Sequence, residues 1–296
     1  MDSVLFTVIL PVGLVVIMFG LGLSLSVGDF RRVADSPKAV LVALTCQVLL
    51  LPIIAFGLVL AFDLSPLLAV GFMILAASPG GALANLYSHL FRGDVALNIT
   101  LTAINSVLAI VTLPLITNLA LGYFGTGEDD VGIQFGKLVQ VFTMVLVPVA
   151  VGMAVRGRAP EFAARMDGPL RAASMGLLVL VVAGTVLTER ENLGEHLAEV
   201  AAVTVLFCVL SLSIGYAVPR LLGLGPAQAI ASSFEIGLHN STLGIAMAVT
   251  VLGSTEMAVP IVVYGILMCV LAAAFGLVLS RARGAGELAD LSAQAA

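Results

Sequence analysis

Residues 77–85 read Ala-Ser-Pro-Gly-Gly-Ala-Leu-Ala-Asn, and they interrupt an apolar segment that extends from about residue 66 to residue 91. Proline removes a backbone hydrogen-bond donor, and paired glycines unwind a helical turn. The whole segment is still long enough to cross a bilayer, which takes about 20 residues. The stretch therefore predicts a membrane helix that is broken near its middle.

A second apolar segment, at about 226–252, contains the polar stretch Glu235-Ile236-Gly237-Leu238-His239-Asn240-Ser241-Thr242. An acid inside a membrane span costs about 2.5–3.5 kcal/mol on insertion scales unless it is paired or protonated. Non-helical backbone at that depth is tolerated only where protein buries it or where it lines a cavity. Two broken segments in corresponding halves of a chain are typical of secondary transporters, which bind ions and substrates at the breaks.

The composition also indicates a membrane protein. Of 296 residues, 60% are apolar and 10% are charged, and the mean hydropathy is +1.15. A soluble domain has about a quarter of its residues charged. The net charge of −5 and the lack of a basic run argue against a nucleic-acid partner. The three cysteines lie in apolar stretches without metal-binding spacing, so we interpret them as buried apolar side chains.

Nine apolar segments predict an all-α integral membrane protein with one polytopic domain over residues 1–283, and no feature indicates an obligate protein partner. The predicted spans are 4–26, 39–61, 66–91, 95–123, 135–155, 170–188, 197–220, 226–252 and 257–280. Residues 284–296 are rich in Gly, Ala and acidic side chains, which predicts a disordered tail.

The loops between these segments alternate in charge. Basic residues follow the odd-numbered spans, whereas the opposite loops are mostly acidic, as in Glu128-Asp129-Asp130. Because short cytoplasmic loops are enriched in Lys and Arg, the alternation predicts an outside N-terminus and a cytoplasmic C-terminus in the plasma membrane.

Further polar residues lie inside the spans. Gln47 is in the second span, and Asn98, Thr102 and Asn105 share one face of the fourth. Taken singly, each is well explained by hydrogen bonding between helices. Together with Glu235 they offer the carboxylate, amide and hydroxyl oxygens that hard cations prefer.

The chain resembles the bile acid:sodium symporter family over nearly its whole length. The matching blocks begin with Ile17-Met18-Phe19-Gly20-Leu21-Gly22-Leu23 and include Ser78-Pro79-Gly80-Gly81 and Arg92-Gly93-Asp94-Val95-Ala96-Leu97. The most specific block, Glu235-Ile236-Gly237-Leu238-His239-Asn240-Ser241, is similar to the family's E-V-G-x-Q-N-S.

The resemblance implies two inverted repeats, the first lacking one helix, with two broken helices that cross in a core domain beside a panel domain. It also implies symport of an organic anion with two sodium ions by alternating access. The first sodium site would use Asn85, Asn98, Thr102 and Glu235. The second would use Gln47, Glu235, His239 and the carbonyls of Ile236 and Leu238. Ala84 and Asn98 stand where the family has a hydroxyl ligand and a serine, respectively.

His239 occupies the position where the family usually has glutamine. A neutral imidazole offers nitrogen, a poor ligand for a hard ion, and a protonated one would repel it. Two interpretations stay open. His239 either hydrogen-bonds a neighbouring carbonyl, or it takes a proton in place of an ion.

For the substrate we predict a bile-acid-like anion or a small carboxylate such as a keto acid, bound by Asn240, Ser241 and the backbone of Gly80 and Gly81 at the crossing. Proton-coupled anion transport and an oxyanion permease are the alternatives, although the latter would be expected to have a thiol beside the first break. We predict no enzymatic activity, because the predicted spans contain neither HExxH nor the paired aspartates that a membrane-embedded enzyme would need.

Overall fold

All of the long elements in the structure are helices. The computed structural model describes residues 10–24, 28, 32–125, 135–166, 168–170, 172–173, 176 and 193–294. The predicted sixth span, 170–188, lies almost entirely outside these residues, as do the acidic loops around Glu128 and Glu189. The prediction of nine spans therefore stays a prediction.

Ten α-helices with defined bounds make up most of the described part of the chain. They are α1 (Leu10–Ser24), α2 (Pro37–Ala61), α3 (Pro66–Ala77), α4 (Ala82–Leu90), α5 (Val95–Phe124), α6 (Phe135–Arg158), α7 (Leu193–Leu221), α8 (Pro226–Gly237), α9 (Ser241–Ala246) and α10 (Val259–Gln294). One π-helical turn, Cys46–Leu50, lies inside α2, and another, Met247–Val251, continues α9.

Among the residues that the structure describes, four stretches are long and apolar enough to cross a bilayer: Pro37–Ala61, Val95–Phe124, Glu199–Leu221 and Glu256–Ala282. The α3 and α8 helices have 12 residues each, which is too short for a span. Each continues after an interruption, α3 into α4 and α8 into α9. These four short helices therefore make two broken membrane segments, and the predicted all-α membrane fold is confirmed.

The two interruptions meet and pair with each other. Gly80 and His239 form an antiparallel bridge. The Gly81 amide donates to the Leu238 carbonyl at 3.1 Å, and the Asn240 amide donates to the Pro79 carbonyl at 2.8 Å. This pairing satisfies backbone groups that the broken helices leave free, which is required at membrane depth.

The approach to each broken segment has the same backbone hydrogen bonds. Before α3, Phe62, Asp63 and Leu64 donate to Leu58, Leu60 and Val59. Before α8, the amides of Leu222, Gly223 and Leu224 donate to the carbonyls of Val218, Arg220 and Pro219. Each donor and acceptor lies 160 positions after its counterpart before α3, for example 224 against 64. Asp63 and Gly223 both have positive φ, 51° and 79°. Both helices then begin at a proline, Pro66 and Pro226.

The start of α3 is also tied to a distant helix. The carboxylate of Glu199, on α7, accepts a hydrogen bond of 2.5 Å from the Ser65 amide. Acceptors at this position satisfy one of the free amides at a helix start, and a negative charge there is favourable.

One difference from the prediction concerns the C-terminal residues. The α10 helix continues to Gln294, whereas the composition of residues 284–296 predicts disorder. Residues 284–294 contain two glycines, one aspartate and one serine, and the other seven are Ala, Leu, Glu and Gln, which have high helix propensity. An existing helix is extended by such residues more easily than a new one is nucleated.

Candidate functional site

The crossing places Glu235 at the centre of the described helices. Glu235 lies in the last turn of α8, and its side chain is 0% exposed. Carboxylates are almost never fully buried without partners, since loss of hydration is costly. The fold therefore has to provide partners for the Glu235 carboxyl group.

Two side chains of α5 hydrogen-bond to this carboxylate. Thr102 Oγ1 donates to Oε2 at 2.5 Å, and Asn105 Nδ2 donates to Oε1 at 2.9 Å. Thr102 and Asn105 are three residues apart, so one helical face presents both. One turn earlier on the same face, Asn98 Nδ2 donates to the carbonyl of Ala231 at 2.7 Å. The α5 and α8 helices thus run side by side in a fixed register.

The first break approaches the carboxylate very closely. A Cβ atom at Gly80 would lie 2.4 Å from Cδ of Glu235, well inside the van der Waals limit. Both carboxylate oxygens lie at a similar distance from that position, so the backbone of Gly80 is directly against the carboxylate. Only glycine lets the backbone of one break come this near to the acid of the other.

The amide side chains around Glu235 share an unusual pattern. Three of them use their nitrogens, since Gln47 Nε2 donates to the Ser78 carbonyl at 3.0 Å and those of Asn98 and Asn105 are bonded as above. Their oxygens are buried, yet they have no hydrogen-bond partner among the residues that the structure describes. These oxygens belong to Gln47, Asn85, Asn98 and Asn105. Buried acceptors without donors need an explanation, and a bound cation supplies one.

His239 has a defined tautomer in this arrangement. Its Nδ1 lies 2.9 Å from the Ser78 carbonyl, which can only accept, so Nδ1 carries the proton. The ring stacks on Phe207, with centroids 5.6 Å apart and planes at 14°, and meets the edge of Tyr264 at 5.3 Å. Nε2 is buried without a partner in the described part of the chain. The imidazole thus hydrogen-bonds a neighbouring carbonyl, a contact that a neutral and a protonated ring would both make, so both interpretations stay open.

The residues predicted to bind the substrate also lie at the crossing. They differ in which of their hydrogen-bonding groups are already used within the protein. The amides of Gly81 and Asn240 are engaged in the pairing, and the oxygen of the Asn240 side chain accepts from the Leu243 amide at 3.1 Å. The half-buried Asn240 retains its Nδ2 donor, and Ser241 Oγ is buried without a partner among described residues. The glycines therefore shape the crossing, while Asn240 and Ser241 present polar side-chain groups.

The structure brings the other predicted ligands to the two breaks. Ile236 lies in the last turn of α8, and the carbonyl of Leu238 accepts from Gly81. Asn105 was predicted only as part of the polar face of α5, without a role of its own, although it contacts Glu235 directly. Its spacing of three from Thr102 was the available signal.

These features define a class of protein. Helices long enough to span a bilayer surround two crossing broken helices and a buried acid, which is the architecture of a secondary transporter. The chain belongs to the Sodium Bile acid symporter family, whose sequence model matches residues 11–196. Because this is a family of membrane transporters, the predictions of a transport function and of no enzymatic activity are confirmed.

Individual relatives agree with this assignment. The chain is 29% identical over 252 residues to the uncharacterized sodium-dependent transporter YocS of Bacillus subtilis, covering 85% of this chain and 76% of that protein. It is 26% identical to the human ileal sodium/bile acid cotransporter, covering 81% and 69%. Against the probable sodium/metabolite cotransporter BASS1 of Arabidopsis thaliana it is 28% identical, covering 84% of this chain but 61% of the plant protein.

Proposed function

We propose that this protein is a sodium-coupled symporter that imports an organic anion, with Glu235 as the shared ligand of its cation sites. The observation that carries the proposal is the set of buried amide oxygens without partners around a fully buried carboxylate. The names of the relatives above support the choice of sodium. Oxygen-only ligands suit a hard monovalent cation better than a transition metal.

The cations are cargo of the transport cycle, and the chain offers two positions for them. The first would use Glu235 with Asn85, Asn98 and Thr102, to which the structure adds Asn105. The second would use Glu235 with Gln47 and the carbonyls of Ile236 and Leu238. The hydrogen bond from Gln47 Nε2 to Ser78 supports this assignment, because it leaves Gln47 Oε1 as the free group.

The anion would bind where the two breaks cross. A cation neutralises the charge of Glu235 and holds the breaks together, so the substrate carboxylate no longer faces a bare negative charge. Asn240 Nδ2 and Ser241 Oγ are the donors for it, and the apolar α10 forms the neighbouring wall. A small or amphipathic carboxylate fits this combination of few polar groups and an apolar wall.

Alternating access would move the crossing helices as one body. The repeated hydrogen bonds before α3 and α8 support the inverted-repeat arrangement, since each half enters its break in the same way. The α1 and α6 helices pack closely, with Gly22 and Gly152 against backbone, and would belong to the panel. Sodium enters a cell down its gradient, so the expected direction is uptake.

A thermal-shift screen of the purified protein against a panel of carboxylates tests this function for many candidate substrates at once. We expect a small carboxylate, such as a keto acid, to raise the Tm only when sodium is present, because the anion site needs a neutralised Glu235. A ligand at 100 times its Kd adds about 2.7 kcal/mol of apparent stability. Choline chloride at equal ionic strength is the control for a general salt effect.

Uptake into proteoliposomes then tests the coupling ion. A carboxylate found in the screen should accumulate under an inward sodium gradient. Equal accumulation under a proton gradient without sodium would refute sodium coupling. Stabilisation by arsenite, but by no carboxylate, would favour the oxyanion permease instead.

The substitution His239→Gln addresses the role of the imidazole. We expect the sodium Hill coefficient of uptake and its pH profile to remain unchanged, because a glutamine amide can donate to the Ser78 carbonyl as Gln47 does. A coefficient that rises towards two, with loss of pH dependence, would show instead that His239 takes the place of an ion.

A further inference from the structure

A second polar layer lies one helical turn away from Glu235. The register of α5 and α8 is fixed by two levels of hydrogen bonds, Thr102 with Glu235 and Asn98 with the carbonyl of Ala231. Asn98 precedes Thr102 by four residues, and Ala231 precedes Glu235 by four. Both steps lead towards the starts of α5 and α8, the ends that the loop charges predict to be cytoplasmic.

Ser232 belongs to this layer. It precedes Glu235 by three residues, a spacing that puts two side chains next to each other on a helix surface. Ser232 is 0% exposed, and its Oγ has no hydrogen-bond partner within the described ranges. The Oδ1 atom of Asn98, also on a side chain that is 0% exposed, is likewise without a partner there. Two buried oxygens of the same layer are thus left without a hydrogen bond to any described residue.

The neighbouring Ser233 shows that a buried serine of α8 can have a hydrogen-bond partner. The missing partner is therefore specific to position 232. Ser233 is also 0% exposed, but its Oγ donates to the Leu212 carbonyl of α7 at 2.7 Å. A buried serine hydroxyl without such a bond loses its hydrogen bonds to water and gains none in the protein, which is destabilising. Ser232 is therefore the serine of the pair that requires a ligand.

The layer ends in a hydrogen bond between α8 and the start of α2. Gln228 lies one turn before Ser232, and its Nε2 donates to Ser36 Oγ at 3.3 Å. Gln228 is the last polar side chain on this face of α8, which begins at Pro226. Ser232 consequently lies between Glu235 and the contact that closes this end of the helix pair.

We propose that Ser232 Oγ and Asn98 Oδ1 form an inner cation position, which receives the ion as it leaves Glu235 towards the starts of α5 and α8. This proposal rests on the proposed function, since the ion that it handles is the one bound at Glu235. Ser232 is the new residue in it. Its hydroxyl contributes to holding the ion and to its release, without contacting the organic anion.

Equilibrium binding of ²²Na⁺ to the purified protein tests the proposal, with the dissociation rate measured after dilution into unlabelled sodium. Ser232→Ala is expected to weaken binding roughly 3- to 10-fold, as for the loss of one neutral oxygen ligand. It should leave the Tm in the absence of sodium unchanged, because no hydrogen bond of the protein is removed. Ser232→Thr retains the hydroxyl and should bind sodium within about twofold of the wild type.

Ser233→Ala is the matched control and should give the opposite result. It removes the bond to Leu212, so the Tm should fall by a few degrees while sodium affinity stays the same. Normal binding and release in Ser232→Ala, with binding abolished in Glu235→Gln, would overturn the inner position alone. Normal binding in Glu235→Gln would overturn the proposed function itself.

Discussion

Sodium binding to the Glu235→Gln protein is expected to be at least about 100-fold weaker than to the wild type, and sodium-driven uptake should fall to background. Removing one partner of a buried, hydrogen-bonded charge pair costs about 2–5 kcal/mol, and each 1.4 kcal/mol is a factor of ten. Glutamine has nearly the same shape: its Oε1 can accept from Asn105, and its Nε2 can donate to the Thr102 hydroxyl, whose own proton can go to the Asn98 carbonyl. Equilibrium ²²Na⁺ binding to purified protein measures the effect.

The stability of this variant separates loss of an ion site from loss of the fold. Without sodium, Glu235→Gln should be at least as stable as the wild type, because an uncompensated buried charge is gone. Added sodium should raise the Tm of the wild type but not of the variant. Glu199→Gln is the control carboxylate, since Glu199 bonds to the start of α3 and not to the crossing. Its sodium affinity should be unchanged, and a comparable loss there would argue against a specific role for Glu235.

Gly80→Ala is expected to weaken sodium binding more than tenfold and to lower the Tm by several degrees. The added Cβ would lie 2.4 Å from the Glu235 carboxyl carbon, so either the carboxylate or one of the breaks must move. Overpacking of this kind costs about 1–3 kcal/mol. The same ²²Na⁺ assay and a thermal melt measure the two effects.

Gly57→Ala provides the comparison for this substitution. Gly57 lies in α2, and a Cβ there would meet nothing within 4 Å in the described structure. Alanine favours helix over glycine by about 1 kcal/mol, so this variant should be slightly more stable and should bind sodium normally. Wild-type sodium affinity in Gly80→Ala would show that sodium binding does not require the close approach of the two breaks.

Both breaks were predictable from the sequence. Proline, paired glycines and an acid inside long apolar runs conflict with a continuous membrane helix, and the structure ends α3 at Ala77 and α8 at Gly237. The shared face of Asn98, Thr102 and Asn105 followed from helical periodicity. These are local properties, which a single sequence carries in full.

The remaining features depend on which segments meet in space. Nothing in the sequence indicates that the amide of Gly81 is used by Leu238, because that pairing joins residues far apart in the chain. The π-helical turn at Cys46–Leu50, which contains Gln47, has no proline or glycine of its own, and Pro52 beyond it does not by itself indicate a turn of this type. Such turns are frequent at functional sites, but their position is set by packing. The partner of each polar side chain therefore had to come from the structure.

The hydrogen-bond partners that the structure gives the Glu235 side chain are both uncharged: Thr102 and Asn105. No fixed cation among them would cancel its charge, so in the proposed transport cycle an ionised Glu235 makes the empty carrier move a net negative charge on its return. A full elementary charge crossing the membrane potential exchanges about 2.3 kcal/mol per 100 mV. A membrane that is negative inside thus drives the empty site back outwards, which makes resetting the voltage-sensitive step of the cycle.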